Sequence, residues 1–447
     1  MVDAIAEPTT PRALRHGRSQ VFSPAALSTF MARLLLQGSN APIGSLLDPG
    51  AGAGALTESV LSLVSIPIRT IMVERDPVLA DHLSDLAHDY RALLAPGSEI
   101  VREDFLVTAP RLKAAGVGFT HVIMNPPYQR ILLGDGAREH LALAGLQVPN
   151  LYAAFLWWGV QLLRPQGRLV AVVPRSFLSG RQFRHLRTQI LSQCGLVRLH
   201  HFRNRKSIFG RDSVQQEVVV VCLVKGKQRA KIAFSSSDGL DDLGAPAVEV
   251  PSDRLISTSP DDQVVLVPAS ADAAKLRPRV NGLAIPPNVR VSVGSIVDFR
   301  HSKDICEFSD ATVPLVGSEI FSARPIGHRA IRLGVHLRRH IKPPGEYVVI
   351  RRISPPESRP RLQAVHLRAL GGDFARGLTF ENHVLVVHAD GRGMNSADCE
   401  RILDILSSNS AQEQIAERCS STQINASDVL AIKTSIDERA EIRWKAM

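Results

Sequence analysis

Between residues 45 and 128, four short apolar runs each end in a glycine-rich or polar segment, and this succession constrains the fold more than any other feature. Ser45-Leu46-Leu47 leads into Asp48-Pro49-Gly50-Ala51-Gly52-Ala53-Gly54 and then an amphipathic helix. The run Arg69 to Val73 ends at Glu74, 26 residues after Asp48. A third run leads into Glu103-Asp104-Phe105, and a fourth, residues 121 to 124, delivers Asn125-Pro126-Pro127-Tyr128. Apolar runs alternating with helical patterns predict a mainly parallel sheet covered on both faces, and ligands bind outside the carboxyl edge of such a sheet. The expected fold class is therefore α/β, a Rossmann-like doubly wound sheet.

Each strand end carries its own chemistry. Glycines at 50, 52 and 54 let the backbone pass close to a ligand, and the helix that follows offers free N–H groups. Their spacing departs from the dinucleotide fingerprint, which puts its third glycine one residue later. A carboxylate at the position of Glu74 in a βαβ unit can accept both hydroxyls of a ribose. At Asp104 a carboxylate can take an adenine amino group while the Phe105 ring packs beside the base. The Asn125 side-chain oxygen and the Pro126 carbonyl supply two acceptors for one amino group. Pro126 and Pro127 add no competing donors and stiffen the turn. Tyr128 offers a face on which a planar group stacks, worth roughly 1–3 kcal/mol for a base. Alone, Asn-Pro-Pro-Tyr would equally be a turn after a strand.

In this order the motifs resemble the gamma class of S-adenosylmethionine-dependent DNA adenine-N6 methyltransferases of type II restriction–modification systems. Gly17-Arg18-Ser19-Gln20-Val21-Phe22-Ser23-Pro24 resembles that class's opening motif. The resemblance implies that Ser23 holds the methionine carboxylate of S-adenosylmethionine and that Asp48, Gly50 and Gly52 shape the methionine pocket. It further implies Glu74 on the ribose, Asp104 with Phe105 on the cofactor adenine, and Asn125, Pro126, Pro127 and Tyr128 on a flipped target adenine. Arg205-Lys206-Ser207-Ile208-Phe209 resembles a later motif whose phenylalanine stacks on the base's other face, which makes Phe209 the candidate partner of Tyr128. Val297-Asp298-Phe299-Arg300, Phe380-Glu381-Asn382-His383 and Thr422-Gln423-Ile424-Asn425-Ala426 resemble landmarks of the recognition half. Gly50-Ala51 stands where many relatives have Ala-Cys. The implied partners are duplex DNA and a separate cognate restriction endonuclease; if the site is palindromic, one subunit can modify one strand per visit, so a monomer would suffice.

Charge agrees with a polyanionic partner. The net charge is +10, and from His140 to Arg211 there is no Asp or Glu against eleven Lys or Arg. Arg181, Arg184, Arg187, Arg205, Lys206 and Arg211 are the candidates for a basic wall on DNA phosphates, which would bind without reading sequence. A solvated charged face is the plainer alternative. Arg338-Arg339-His340 and Arg351-Arg352 make a second, weaker patch.

At 447 residues two to three domains are expected. We expect a catalytic domain over residues 1–228 and a mixed α+β target-recognition domain over 229–447. The second should hold β-branched runs at Val264 to Val267, Val291 to Val297, Tyr347 to Ile350 and Val384 to Val387, and helices from Asp398 to Arg418. The five cysteines are far apart, without metal spacing, and none of the fifteen histidines forms a metal constellation, so free thiols and no metal are expected. The longest apolar stretch, Leu151 to Leu163, is too short to span a bilayer, and a soluble cytoplasmic protein is expected. Trp157 and Trp158 read as packing residues. Asp298 and Arg300 fit DNA contacts or an internal salt bridge equally, and Gln423 and Asn425 fit base reading or backbone capping equally. An RNA adenine or protein-glutamine methyltransferase, or a non-catalytic DNA-binding module with the same core, stays open.

Overall fold

The computed structural model describes residues 23–38, 43–131, 148–204, 208, 217–257, 263–276, 285–286, 288–322, 329–332, 334–419 and 421–433. The chain divides into two compact units, Met1–Arg277 and Pro278–Met447.

The first unit is built on a nine-stranded sheet. Its strands are β1 (Ser45–Pro49), β2 (Arg69–Val73), β3 (Glu99–Val101), β4 (Phe119–Met124), β5 (Leu163–Pro174), β6 (Cys194–Phe202), β7 (Val218–Lys225), β8 (Lys231–Ser237) and β9 (Val248–Pro251). They lie in the order β3-β2-β1-β4-β5-β7-β6-β8-β9. β1 to β5 run parallel, and β7 inserts antiparallel between β5 and β6. The order reverses at β1, which pairs with β2 on one side and β4 on the other, so the carboxyl ends of these strands open the crevice in which doubly wound sheets bind ligands. This is the Rossmann-like methyltransferase fold expected from the sequence.

Both sheet faces are covered. Helix α1 (Ala25–Leu36) buries Leu27, Met31, Leu34 and Leu35 on one face in a core shared with Leu46, Ile123 and Val170. Helices α2 (Ala55–Leu61), α3 (Pro77–Asp89), α4 (Phe105–Ala114), α5 (Leu151–Leu162) and α6 (Arg184–Gln193) complete the layers. The apolar stretch read as a helix is α5, apolar all round because nearly every residue is buried. Gly159 lets it close on the sheet, since a Cβ there would stand 2.6 Å from Met124 Cε. Trp158 is buried and Trp157 packs against the same core, as packing residues should. No helix among the described residues is long and apolar enough to cross a membrane.

The first unit extends past the boundary expected at residue 228. β8 pairs parallel with β6, and β9 pairs antiparallel with β8, so residues beyond Lys225 continue the same sheet. His200 locks this edge: its Nδ1 lies 2.7 Å from Ser235 Oγ and its Nε2 3.0 Å from Ser237 Oγ. Burial pushes its pKa down to about 3, so the ring is neutral. Val264 to Val267, expected as a strand, is no ladder strand. Val264, Val265 and Val267 are buried, and Val265 N–H donates to Leu178 O at 2.8 Å.

In the second unit, β10 (Val289–Val293), β17 (Val384–Ala389), β14 (Gly345–Arg351) and β15 (Ala364–Ala369) form an antiparallel sheet in that order. A second sheet has the order β11 (Ile305–Cys306), β13 (Ala330–Arg332), β12 (Thr312–Val316) and β16 (Thr379–Phe380). Helices α7 (Ser396–Ser407), α8 (Asn409–Arg418) and α9 (Ala426–Leu430) cover the first of these sheets, with Ile402, Ile405, Ile415 and Val429 in one core with Val348, Ile350, Leu385 and Val387. The mixed β unit with terminal helices is as the sequence suggested.

Candidate active site

The ends of β1, β2, β3 and β4 converge on one cavity of about 390 Å³. Gly50 and Gly52, Glu74, Asp104 and Phe105, and Asn125 to Tyr128 all line it. The four segments singled out in sequence thus meet at one site.

The glycine loop owes its path to φ values that side chains rarely adopt: +71° at Gly50, +60° at Gly52 and +88° at Gly54. A Cβ at Gly50 would come within 3.2 Å of Phe155 Cε1, whereas one at Gly52 would meet nothing within 4 Å. Open space at Gly52 is what a cradle for a ligand requires. Glu74 fixes this loop to the end of β2, because its Oε2 accepts from Gly52 N–H at 2.9 Å and its Oε1 from Asp76 N–H at 2.8 Å. One lone pair on each oxygen remains for a ligand hydroxyl.

Asp48 lies beneath the loop, fully buried and outside the cavity lining. Its Oδ2 accepts from Thr57 Oγ1 at 2.7 Å, and Oδ1 has no partner. Burial raises its pKa to about 7, with the charge of Glu74 acting in the same direction. Asp104 caps α4, accepting from Leu106 N–H at 2.8 Å, and its other oxygen meets Arg75 Nη1 at 3.2 Å. Phe105 packs against Phe155 with ring centroids 4.9 Å apart.

At the far side of the cavity Asn125 Nδ2 donates to Ser23 Oγ at 3.0 Å. This places Ser23 beside the amide of Asn125. Tyr128 O–H reaches Asn125 Oδ1 only at 3.5 Å, and its ring stands edge-on to Tyr152 at 6.0 Å. Burial pushes the Tyr128 pKa upward, so its hydroxyl is neutral.

Several lining residues carried no distinctive mark in the sequence. Asp76 was legible as a helix cap before Pro77, and it accepts from Val78 N–H at 3.0 Å, but its bond to Glu74 was not. Leu151 and Phe155 come from α5, where an apolar run gives no sign of which side chains reach a ligand.

The basic stretch divides. Arg187 is a correction: it is fully buried, and its guanidinium donates to the carbonyls of Phe177, Gly180 and Gln263 at 2.6–3.1 Å, so it holds α6 in place and is not available to phosphates. Arg175 pairs with Glu217 at 2.8 Å and Arg203 with Asp238 at 2.7 Å. The acids that neutralise an acid-free stretch lie beyond it in sequence. Arg181 and Arg184 are exposed. Phe209, Arg205, Lys206 and Arg211 lie outside the described residues.

In the second unit Asp298 is in an internal salt bridge with Arg329 at 2.7 Å, and Asn425 joins Asp428 in a capping box. Glu346, His366 and Cys399 come together although no sequence spacing announces them. The carboxylate is already engaged, as Glu346 Oε2 lies 2.6 Å from His366 Nε2 and accepts from Ser396 Oγ at 2.6 Å. Burial pushes the Cys399 thiol up to about 12, so it stays protonated in this network.

Residues 81–209 match the family model described as Eco57I restriction-modification methylase. The chain is similar to the type II methyltransferase M.BsuBI of Bacillus subtilis, 29% identical over 93% of this chain and 87% of that protein. It is also similar to the type II methyltransferase M.PstI of Providencia stuartii, 27% identical over 99% of this chain and 92% of that protein. Among solved structures, the cryoEM structure of a DrdV–DNA complex superposes with a TM-score of 0.51 at 13% identity, covering 90% of this chain and 52% of that one. The fold and the methylase family model imply S-adenosylmethionine as the cofactor. The residues present fit it: an open cradle at Gly52, a carboxylate at Glu74, and the Phe105 ring beside Asp104.

Proposed function

We propose that this chain is a site-specific DNA methyltransferase that transfers a methyl group from S-adenosylmethionine to N6 of an adenine flipped out of duplex DNA. The observation that carries the reading is one cavity lined by the glycine cradle and Glu74 at one side and by Asn125 to Tyr128 at the other. The cofactor supplies an electrophilic methyl group on a sulfonium. Gly50, Gly52 and Ser23 take its methionine part, with Asp48 shaping the loop from below. Glu74 takes the ribose, and Asp104 with Phe105 the adenine.

The target amino nitrogen is a poor nucleophile because its lone pair is delocalised into the ring. In this reading Asn125 Oδ1 accepts one N6 hydrogen and the Pro126 carbonyl the other, while Nδ2 of Asn125 is held by Ser23. Two fixed acceptors draw the hydrogens out of the ring plane and localise the lone pair toward the methyl group. The rate gain comes from orientation and preorganised dipoles, without a covalent enzyme intermediate. Tyr128 stacks on the base, Phe209 is the candidate for its other face, and Arg181, Arg184, Arg205, Lys206 and Arg211 are candidates for phosphates. In this reading residues beyond the first unit select the site, a monomer modifies one strand per visit, and a separate cognate endonuclease is the partner that the modification restrains.

The test is transfer of labelled methyl groups from S-adenosylmethionine to duplex DNA, with cofactor affinity measured in parallel. Asn125→Ala should lower transfer by about 10²–10³-fold or more, the cost of one preorganised polar partner of a reacting group, and leave cofactor affinity within about threefold. Near-normal turnover in the variant would refute the assignment. Label found in RNA or protein but not in DNA would move the same site to another substrate.

A further inference from the structure

Phe299 is the most exposed large apolar side chain among the described residues, at 77%, and it projects from a loop that is otherwise held in place. Arg300 N–H and His301 N–H both donate to Val297 O at 3.0 Å. Asp298 is clamped by Arg329 at 2.7 Å, and Arg329 reaches the buried carboxylate of Glu381 at 3.6 Å. Ile296, on the near side of the loop, is fully buried in a small core with Leu337. A tip anchored at both flanks and apolar at its apex gains nothing for folding from that ring, which is left in water.

Its surroundings are cationic. The Arg300 guanidinium carbon stands 5.4 Å from the centre of the Phe299 ring. The His301 ring lies 6.0 Å from that of His340, which brings the loop beside the exposed Arg338 and Arg339. Lys303 is exposed on the same loop. Of the acids in this stretch, Asp298 pairs with Arg329 at 2.7 Å and Asp304 meets His336 at 3.5 Å, an ion pair when that imidazole is protonated, while Glu307 is exposed. The patch that the sequence left isolated at Arg338-Arg339-His340 is thus joined to an aromatic tip.

We propose that Phe299 enters duplex DNA as an apolar wedge at a base step, while Arg300, Arg338 and Arg339 take the flanking phosphates. The proposal rests on the DNA methyltransferase reading and gives the second unit a defined contact. An apolar ring among cations suits a stack of bases between two rows of phosphates, and side-chain wedges of this kind unstack and kink a duplex.

The experiment uses the full chain and a fluorescent duplex carrying the motif that it methylates, and reads Kd across a salt series, cofactor affinity and Tm. Phe299→Ala should weaken duplex binding by about 5- to 150-fold, the range for loss of one stacking contact, with the salt slope, cofactor affinity and Tm unchanged. Phe299→Trp should restore binding. Arg300→Gln should lower the salt slope by about 0.9, the share of one phosphate contact. Wild-type affinity in Phe299→Ala, or equal weakness in Phe299→Ala and Phe299→Trp, would overturn the wedge while leaving the methyltransferase reading intact. A wild-type chain that binds cofactor but neither binds nor methylates any duplex would overturn both.

Discussion

At Asn125 and Ser23, residues more than a hundred positions apart meet through a 3.0 Å hydrogen bond, and Asn125 lines the cavity that the glycine loop also lines. That Asn125, Glu74 and Asp104 lie at one sheet edge was legible, because each follows an apolar run. The bond between Asn125 and Ser23 was not, since the sequence placed one on the cofactor and the other on the target base and did not pair them. Asp48 shows the opposite balance: its place before the glycines was plain, but its depth is a property of packing. A carboxyl held at about 7 in the fold stabilises it fully below its unfolded value near 3.8 and loses that contribution as pH rises through 7. In the ligand-free protein, Asp48→Asn should therefore flatten the fall of Tm between pH 4 and pH 7. An unchanged slope across that window would show that the carboxyl is already ionised.

Among the elements, strands β1, β2 and β4 and helix α5 fall where apolar runs and their stop signals put them. The edge beyond β7 does not, because the place of β8 and β9 depends on pairing with β6 and with each other. Arg187 was misread for a related reason. A cation in an acid-free run looks free in sequence, whereas its partners are backbone carbonyls that no sequence displays. Gly54 sets how close α2 and α3 come: it precedes α2 at φ +88°, and a Cβ there would stand 2.5 Å from Leu86 Cδ2 and 2.8 Å from Leu83 Cδ2. Gly54→Ala should cost about 1–3 kcal/mol as overpacking and weaken cofactor binding, because the loop it closes bears Gly52. Urea denaturation and a cofactor titration would check this, and wild-type values in both would show that the helices yield.

On the scale of the whole molecule the two units have separate cores, and the described residues that line the candidate cavity belong to the first. Ile402→Ala, in the core between α7 and its sheet, should destabilise the second unit by about 2–5 kcal/mol yet leave cofactor affinity as it was. Calorimetry beside a binding titration separates the two, and a parallel loss of cofactor affinity would show that the units do not act independently. The net charge of +10 suits a polyanion but selects none. The substrate must be read from the product. The most direct measurement is single-molecule sequencing of DNA from cells expressing the wild-type chain or Asn125→Ala, scoring N6-methyladenine at every adenine. The account predicts modification confined to one short motif and present only with the wild type. No new adenine mark, with expression and cofactor binding confirmed, would contradict it.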